Sequence, residues 1–213
     1  MNIIDKYRTL NKKDQLILLL LFNTFLNLII AIIKFVFAII IPSLWFGVNA
    51  GFGFILAFTR FQTIKDYKKI RLLQSREEKD KAEYTNFLRN GILLILLGIM
   101  YFFVSSYMYY NGTNTTMHEY ITYLVALLSF YSISSAIYGM IKYRKDKEPV
   151  IKAIKITNFA NALTSIVLTQ VVLLDTYDKN YNSSINGYTG MGVSLIIIFL
   201  GLYMILGIKK YIK

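Results

Sequence analysis

NLIIAIIKFVFAIIIPSLWFGVNAGFGFILAFTRF, residues Asn27 to Phe61, decides the fold. The stretch is apolar nearly throughout and is broken once, at Pro42-Ser43. Proline cannot continue the hydrogen-bond ladder of the helix before it, but it suits the first turn of the next helix. The segment therefore reads as two membrane spans joined by a tight turn. Span 1 runs from about Gln15 to Ile41 and span 2 from about Leu44 to Thr59 (15–41 and 44–59). At 1.5 Å per residue span 1 reaches roughly 39 Å, so it tilts in, or projects beyond, a hydrocarbon core of ~30 Å. It is too long for the apolar core of a signal peptide, and no small-x-small cleavage site follows.

Working outward, four further apolar runs follow: Gly91 to Tyr110, Glu119 to Tyr143, Val150 to Leu174 and Met191 to Ile208 (91–110, 119–143, 150–174 and 191–208). Continuous Leu/Ile-rich runs of this length predict helices, whereas barrel strands alternate over short segments. The expected fold class is an all-α membrane protein, a six-transmembrane-helix bundle. Of the 213 residues, 55% are hydrophobic. A basic tail, 1–14, precedes span 1, and a basic segment, 60–90, separates spans 2 and 3. In that segment Ile64, Tyr67, Ile70, Leu72 and Leu73 recur at near-helical spacing. This predicts helical extensions at the membrane surface.

Orientation follows from charge. The net charge is +12. All Lys and Arg residues except Lys34 and Lys179 fall on one side of a six-span arrangement. The positive-inside rule then puts both N and C termini in the cytoplasm, with the charge facing anionic lipid headgroups. That accounts for the basicity without nucleic acid, which is not an expected partner. The Ile/Lys/Asn-rich composition points to the cytoplasmic (plasma) membrane of a bacterium. Three Asn-x-Ser/Thr matches, at Asn111, Asn114 and Asn182, then arise by chance.

Chemistry is sparse. Cysteine is absent and His118 is the one histidine, so thiolate sites and multi-imidazole sites within one chain are excluded. No nucleotide-binding loop or nucleophile–base set occurs, so the chain reads as no enzyme, with no catalytic residues, no cofactor and no metal ligands. What stands out is polarity inside the spans. Span 1 carries Asn27 and Lys34, and span 2 carries Asn49. In span 5, Thr157, Asn161, Thr164, Ser165 and Thr169 recur at steps of three and four, a polar stripe on one helix face. Such a stripe turns away from lipid. It serves either as interhelical hydrogen bonding or as a polar pathway between spans 2 and 5. Lys34 lies about 10 Å below the outer end of span 1. It reads as a snorkelling lysine, or one bonded to a neighbouring helix, or as an anion-attracting or gating charge, with Asp175 as its expected partner.

The pattern N-L-x-x-A-x-x-K in Asn27–Lys34, followed by Ser43-Leu44 and Asn49-Ala50, resembles the first two spans of the cation diffusion facilitator (cation efflux) family. Thr157-Asn158-Phe159-Ala160-Asn161-Ala162-Leu163-Thr164-Ser165 is similar to that family's fifth-span His-x-x-x-Asp-Ala-x-Ser-Ser. The resemblance implies a six-helix bundle, often a homodimer, that exchanges divalent cations for protons. The family's four metal-binding positions fall here on Phe52, Leu56, Thr157 and Asn161, none of which is an ionisable ligand. The family's C-terminal cytoplasmic domain is expected to be missing after span 6. Three functional expectations follow. The first is a degenerate facilitator-like scaffold moving an unidentified solute without a His/Asp metal site. The second is a non-transporting subunit or modulator of another membrane complex. The third is divalent-cation efflux.

Overall fold

The computed structural model describes residues 12–41, 43–112, 118–142, 148–177 and 184–208, with backbone alone for 12–17, 19, 142 and 208. The tail up to residue 11, the sequences around Asn114 and Asn182, the basic loop at 143–147, Lys179 and the basic end at 209–213 lie outside the described residues. Among the described residues six helices follow one another: α1 (Lys12–Ile40), α2 (Leu44–Ile70), α3 (Arg76–Asn111), α4 (Glu119–Lys142), α5 (Pro149–Tyr177) and α6 (Ser184–Ile208). There is no strand among the described residues. All six helices are long and apolar enough to cross a membrane, so the chain is a multi-pass membrane protein.

The basic segment extends the two helices that flank it, as its near-helical spacing predicts: α2 continues from Thr59 to Ile70, and α3 begins at Arg76, well before Gly91. Lys68 and Lys69 occupy the last turn of α2, while Glu77 and Glu78 occupy the first turn of α3. Each pair complements the helix dipole at its end, so a charged sequence still propagates helix. At its other end α3 stops at Gly112, whose φ of 69° is the left-handed conformation that glycine adopts freely.

One boundary differs from the sequence expectation: α6 starts at Ser184 and not at Met191. The glycines of INGYTGMG resemble a loop in sequence, but here Gly187 and Gly190 admit neighbouring helices. A side-chain carbon at Gly187 would stand 2.5 Å from the Tyr109 nitrogen and 2.7 Å from the Ser105 carbonyl oxygen. At Gly98 it would meet Ile198 at 2.7 Å, and at Gly201 the Gly91 carbonyl oxygen at 2.7 Å. Gly91, Gly98 and Ser105 on α3 recur every seven residues, as do Gly187, Ser194 and Gly201 on the antiparallel α6. Their pairing brings the two backbones close along their length. A seven-residue repeat keeps one seam facing its partner, and small residues let membrane helices gain van der Waals contact that lipid does not supply.

The remaining helices form two antiparallel hairpins, α1/α2 and α4/α5, joined where α2 meets α5. Most of the apolar window of α2 (56%) and of α5 (61%) is buried inside the protein, and no other helix exceeds 39%. These two helices therefore form the centre of the bundle. Trp45, Leu56, Leu94, Tyr101, Leu168 and Ile197 make up much of the main core. A smaller cluster of Ile64, Tyr67, Ile70, Val150 and Ile154 closes the end near the α2–α3 turn.

Candidate functional site

The polar residues converge where α1 and α2 cross α5. Thr157, Asn161 and Ser165 are one helical turn apart on α5, and each meets a side chain from another helix. The Arg60 guanidinium donates from Nη2 to the Thr157 carbonyl oxygen at 2.9 Å and from Nε to Thr157 Oγ1 at 3.4 Å. The Asn161 Nδ2 donates to Asn27 Oδ1 at 3.2 Å. The Lys34 Nζ donates to Ser165 Oγ at 3.1 Å. From Thr157 to Ser165 these rungs cover about 12 Å of helix axis. All six side chains are buried.

The ladder continues toward the α2–α3 turn along α2. Thr63, nearly one turn from Arg60, accepts from Asn90 Nδ2 at 3.1 Å, and the same amide reaches Asn86 Oδ1 at 3.0 Å. Asn86 Nδ2 in turn donates to Asp66 Oδ2 at 3.1 Å, which Arg89 also holds at 2.9 Å. Asp66, Asn86 and Arg89 line a groove of 330 Å³ between α2 and α3. Nearby, the Tyr67 hydroxyl donates to Glu148 at 2.6 Å, tying α2 to the start of α5. A chain of polar side chains thus runs from a groove at the α2–α3 end to Lys34, about 10 Å short of the opposite end of α1.

Two of the expected residues stay on the stripe without bridging helices. Thr164 and Thr169 donate to their own helix, at the carbonyls of Asn161 and Ser165, both at 2.9 Å. Thr169 also faces a groove shared with Ser129 of α4. Asn49 is not part of the ladder. Its Nδ2 bonds the Trp45 carbonyl at 3.0 Å, and its carboxamide lies against Tyr101 of α3 instead of α5. Lys34 does not pair with Asp175. Its ammonium is fixed to Ser165, which is ten residues earlier on α5, and its stem is 4% exposed, so it does not snorkel.

Arg60 is the residue that sequence reasoning misplaced. Counted with the surface cations beyond Thr59, it lies inside the bundle at 1% exposure. The signal was present: Arg60, Thr63, Ile64 and Tyr67 recur at helical spacing, the pattern of an inward face. A single charged residue at the edge of an apolar run hid it. Among the described residues, neither Arg60 nor Lys34 has a carboxylate within ion-pair reach. An intramembrane cation normally pairs with an acid or lines an aqueous path, because each costs on the order of 2.5–3.5 kcal/mol in the bilayer centre. Here both cations rest on neutral oxygens, and hydrogen bonds to charged groups recover part of that cost.

Metal chemistry has little to use. Among the described residues no three His, Asp or Glu side chains come together. The chain matches no protein-family model and no curated protein.

Proposed function

We propose that the chain is a transporter-like protein of a bacterial cytoplasmic membrane, both termini inside, that carries a small neutral or anionic solute along the α1–α2–α5 ladder. The observation that supports this reading is the pair of buried cations on neutral partners, Arg60 and Lys34, at either end of the Asn27–Asn161 rung. A polar chain with a mouth in the Asp66–Arg89 groove supplies stepwise hydrogen bonds through an otherwise apolar bundle. The same cations weigh against divalent-cation efflux. A doubly charged ion midway between them, about 6 Å from each, meets a repulsion of about 5.5 kcal/mol from either at an effective dielectric of 20. The resemblance to cation diffusion facilitators is then one of scaffold, with two of the metal positions, Thr157 and Asn161, used as hydrogen-bonding rungs.

A second reading rests on a specific observation as well. Every rung is closed by a direct hydrogen bond, as in interhelical glue, which suits a non-transporting subunit. Stopped-flow light scattering of proteoliposomes separates the two, using urea, glycerol, chloride, nitrate and phosphate as solutes. The expected result is accelerated flux of at least one solute, abolished by Asn161→Leu in protein that still folds. No flux for any solute in the wild type rejects the transporter reading in favour of the subunit.

A further inference from the structure

A groove of 700 Å³ runs along the outside of the α1/α2 hairpin, away from the polar ladder. Its walls are Leu21, Phe25 and Leu28 on α1, and Phe54, Phe58 and Phe61 on α2. The volume lies within the range of small-molecule pockets, and the lining is nearly all hydrocarbon. The groove sits in the half of the bundle nearer the α2–α3 turn, so within the membrane its natural contents are acyl chains.

Its end is chemically different. On α2, Phe54, Phe58, Phe61, Lys65 and Lys68 follow steps of four, three, four and three, and so share one helix face. Lys65 and Lys68 are exposed and lie about 6 and 10 Å along the axis beyond Phe61. The apolar groove therefore opens onto two cations at headgroup depth. Asp66, adjacent to Lys65 in sequence, points toward α3, where Arg89 and Asn86 hold it. It does not neutralise the lysine face.

We infer that this groove and its two lysines form a binding site for one anionic phospholipid of the leaflet on the α2–α3 side. An acyl chain lies among the phenylalanines and the headgroup phosphate sits on Lys65 and Lys68. A second copy of the chain fits less well. A two-fold axis along the membrane normal would set each lysine pair against its own counterpart, since such an interface is self-complementary.

The test uses the full chain, purified and delipidated in dodecyl maltoside. Native mass spectrometry counts lipid during titration with dioleoylphosphatidylglycerol or dioleoylphosphatidylcholine. The expected result is one phosphatidylglycerol retained per chain. Lys65→Gln with Lys68→Gln weakens it about 25-fold, about 5-fold for each surface cation, and leaves phosphatidylcholine unchanged. Leu28→Trp, which fills the groove, weakens both lipids. The lysine pair is exposed, so its variant retains the fold and the test stands without Leu28→Trp. Equal retention of the two lipids, or indifference to the lysine pair, means ordinary boundary lipid and overturns the proposal. So does binding of glycerol phosphate as tight as that of phosphatidylglycerol. A dimer that Leu28→Trp splits into monomers assigns the groove to a second copy and also overturns it.

Discussion

Replacing Gly187 with alanine is expected to destabilise the protein although it adds one methyl group and improves helix propensity. An alanine carbon there would stand 2.5, 2.6 and 2.7 Å from the nitrogen and Cα of Tyr109 and the carbonyl oxygen of Ser105. Ordinary carbon contacts are about 3.5–4.0 Å, so α3 and α6 must separate by about 1 Å at this level. All three atoms are backbone, so no side chain can swing aside. Overpacking of this kind costs about 1–3 kcal/mol, and the upper end applies here. The gain in helix propensity, about 1 kcal/mol, leaves a net loss of about 2 kcal/mol, or about 4–8 °C in melting temperature for a chain of this size. Gly192, on the same helix, is the control. Nothing lies within 4 Å of a carbon added there, so Gly192→Ala is expected to be neutral or to gain up to about 1 kcal/mol. The assay is thermal unfolding of both variants in one detergent, read by the loss of monodisperse protein. If Gly187→Ala melts at or above Gly192→Ala, the close seam between α3 and α6 is wrong.

Lys34→Met is expected to raise stability by about 1–3 kcal/mol, because it removes a buried charge held only by Ser165, which can bond its own helix instead; a lower melting temperature contradicts this. Arg60→Lys is expected to lose about 1–2 kcal/mol, since an ammonium does not reproduce the two-point contact with Thr157. A melting temperature equal to the wild type's would remove that contact from the account. Tyr67→Phe deletes the 2.6 Å bond to Glu148 and is expected to cost about 1.5 kcal/mol. Its effect should vanish in a Glu148→Ala background, which removes the acceptor, if the bond is what matters, as a double-mutant cycle measures.

The number of spanning helices was legible from the sequence because it depends on local quantities. The hydrophobic run that ends at Ile41 and the one that begins at Leu44 declare themselves wherever they fold, since an unbroken apolar segment of sufficient length has no other use for its backbone in lipid. The polar stripe of α5 was legible for the same reason. Thr157, Asn161 and Ser165 share a face by helical period alone.

Which groups meet that face was not local. Arg60 and the exposed Lys65 are alike as cations in the segment beyond Thr59, and only the packing of α2 against α5 draws Arg60 inside. Lys34 was visible as an intramembrane cation, but its choice of Ser165 over Asp175 depends on the axial offset between α1 and α5, which no sequence spacing encodes. Asn49 shares a helix face with Arg60, eleven residues along, yet it meets Tyr101 of α3 where Arg60 meets Thr157 of α5, because the neighbour on that face changes along α2. The seven-residue series Gly91, Gly98, Ser105 and Gly187, Ser194, Gly201 was present in the sequence all along. Its meaning required a partner helix, because a glycine marks a loop or a close approach equally well until the second backbone is in place. The sequence by itself determined six apolar helices and one polar face. The tertiary structure decided which charges are buried and what they touch, because burial depends on the neighbouring helix as well as on the residue.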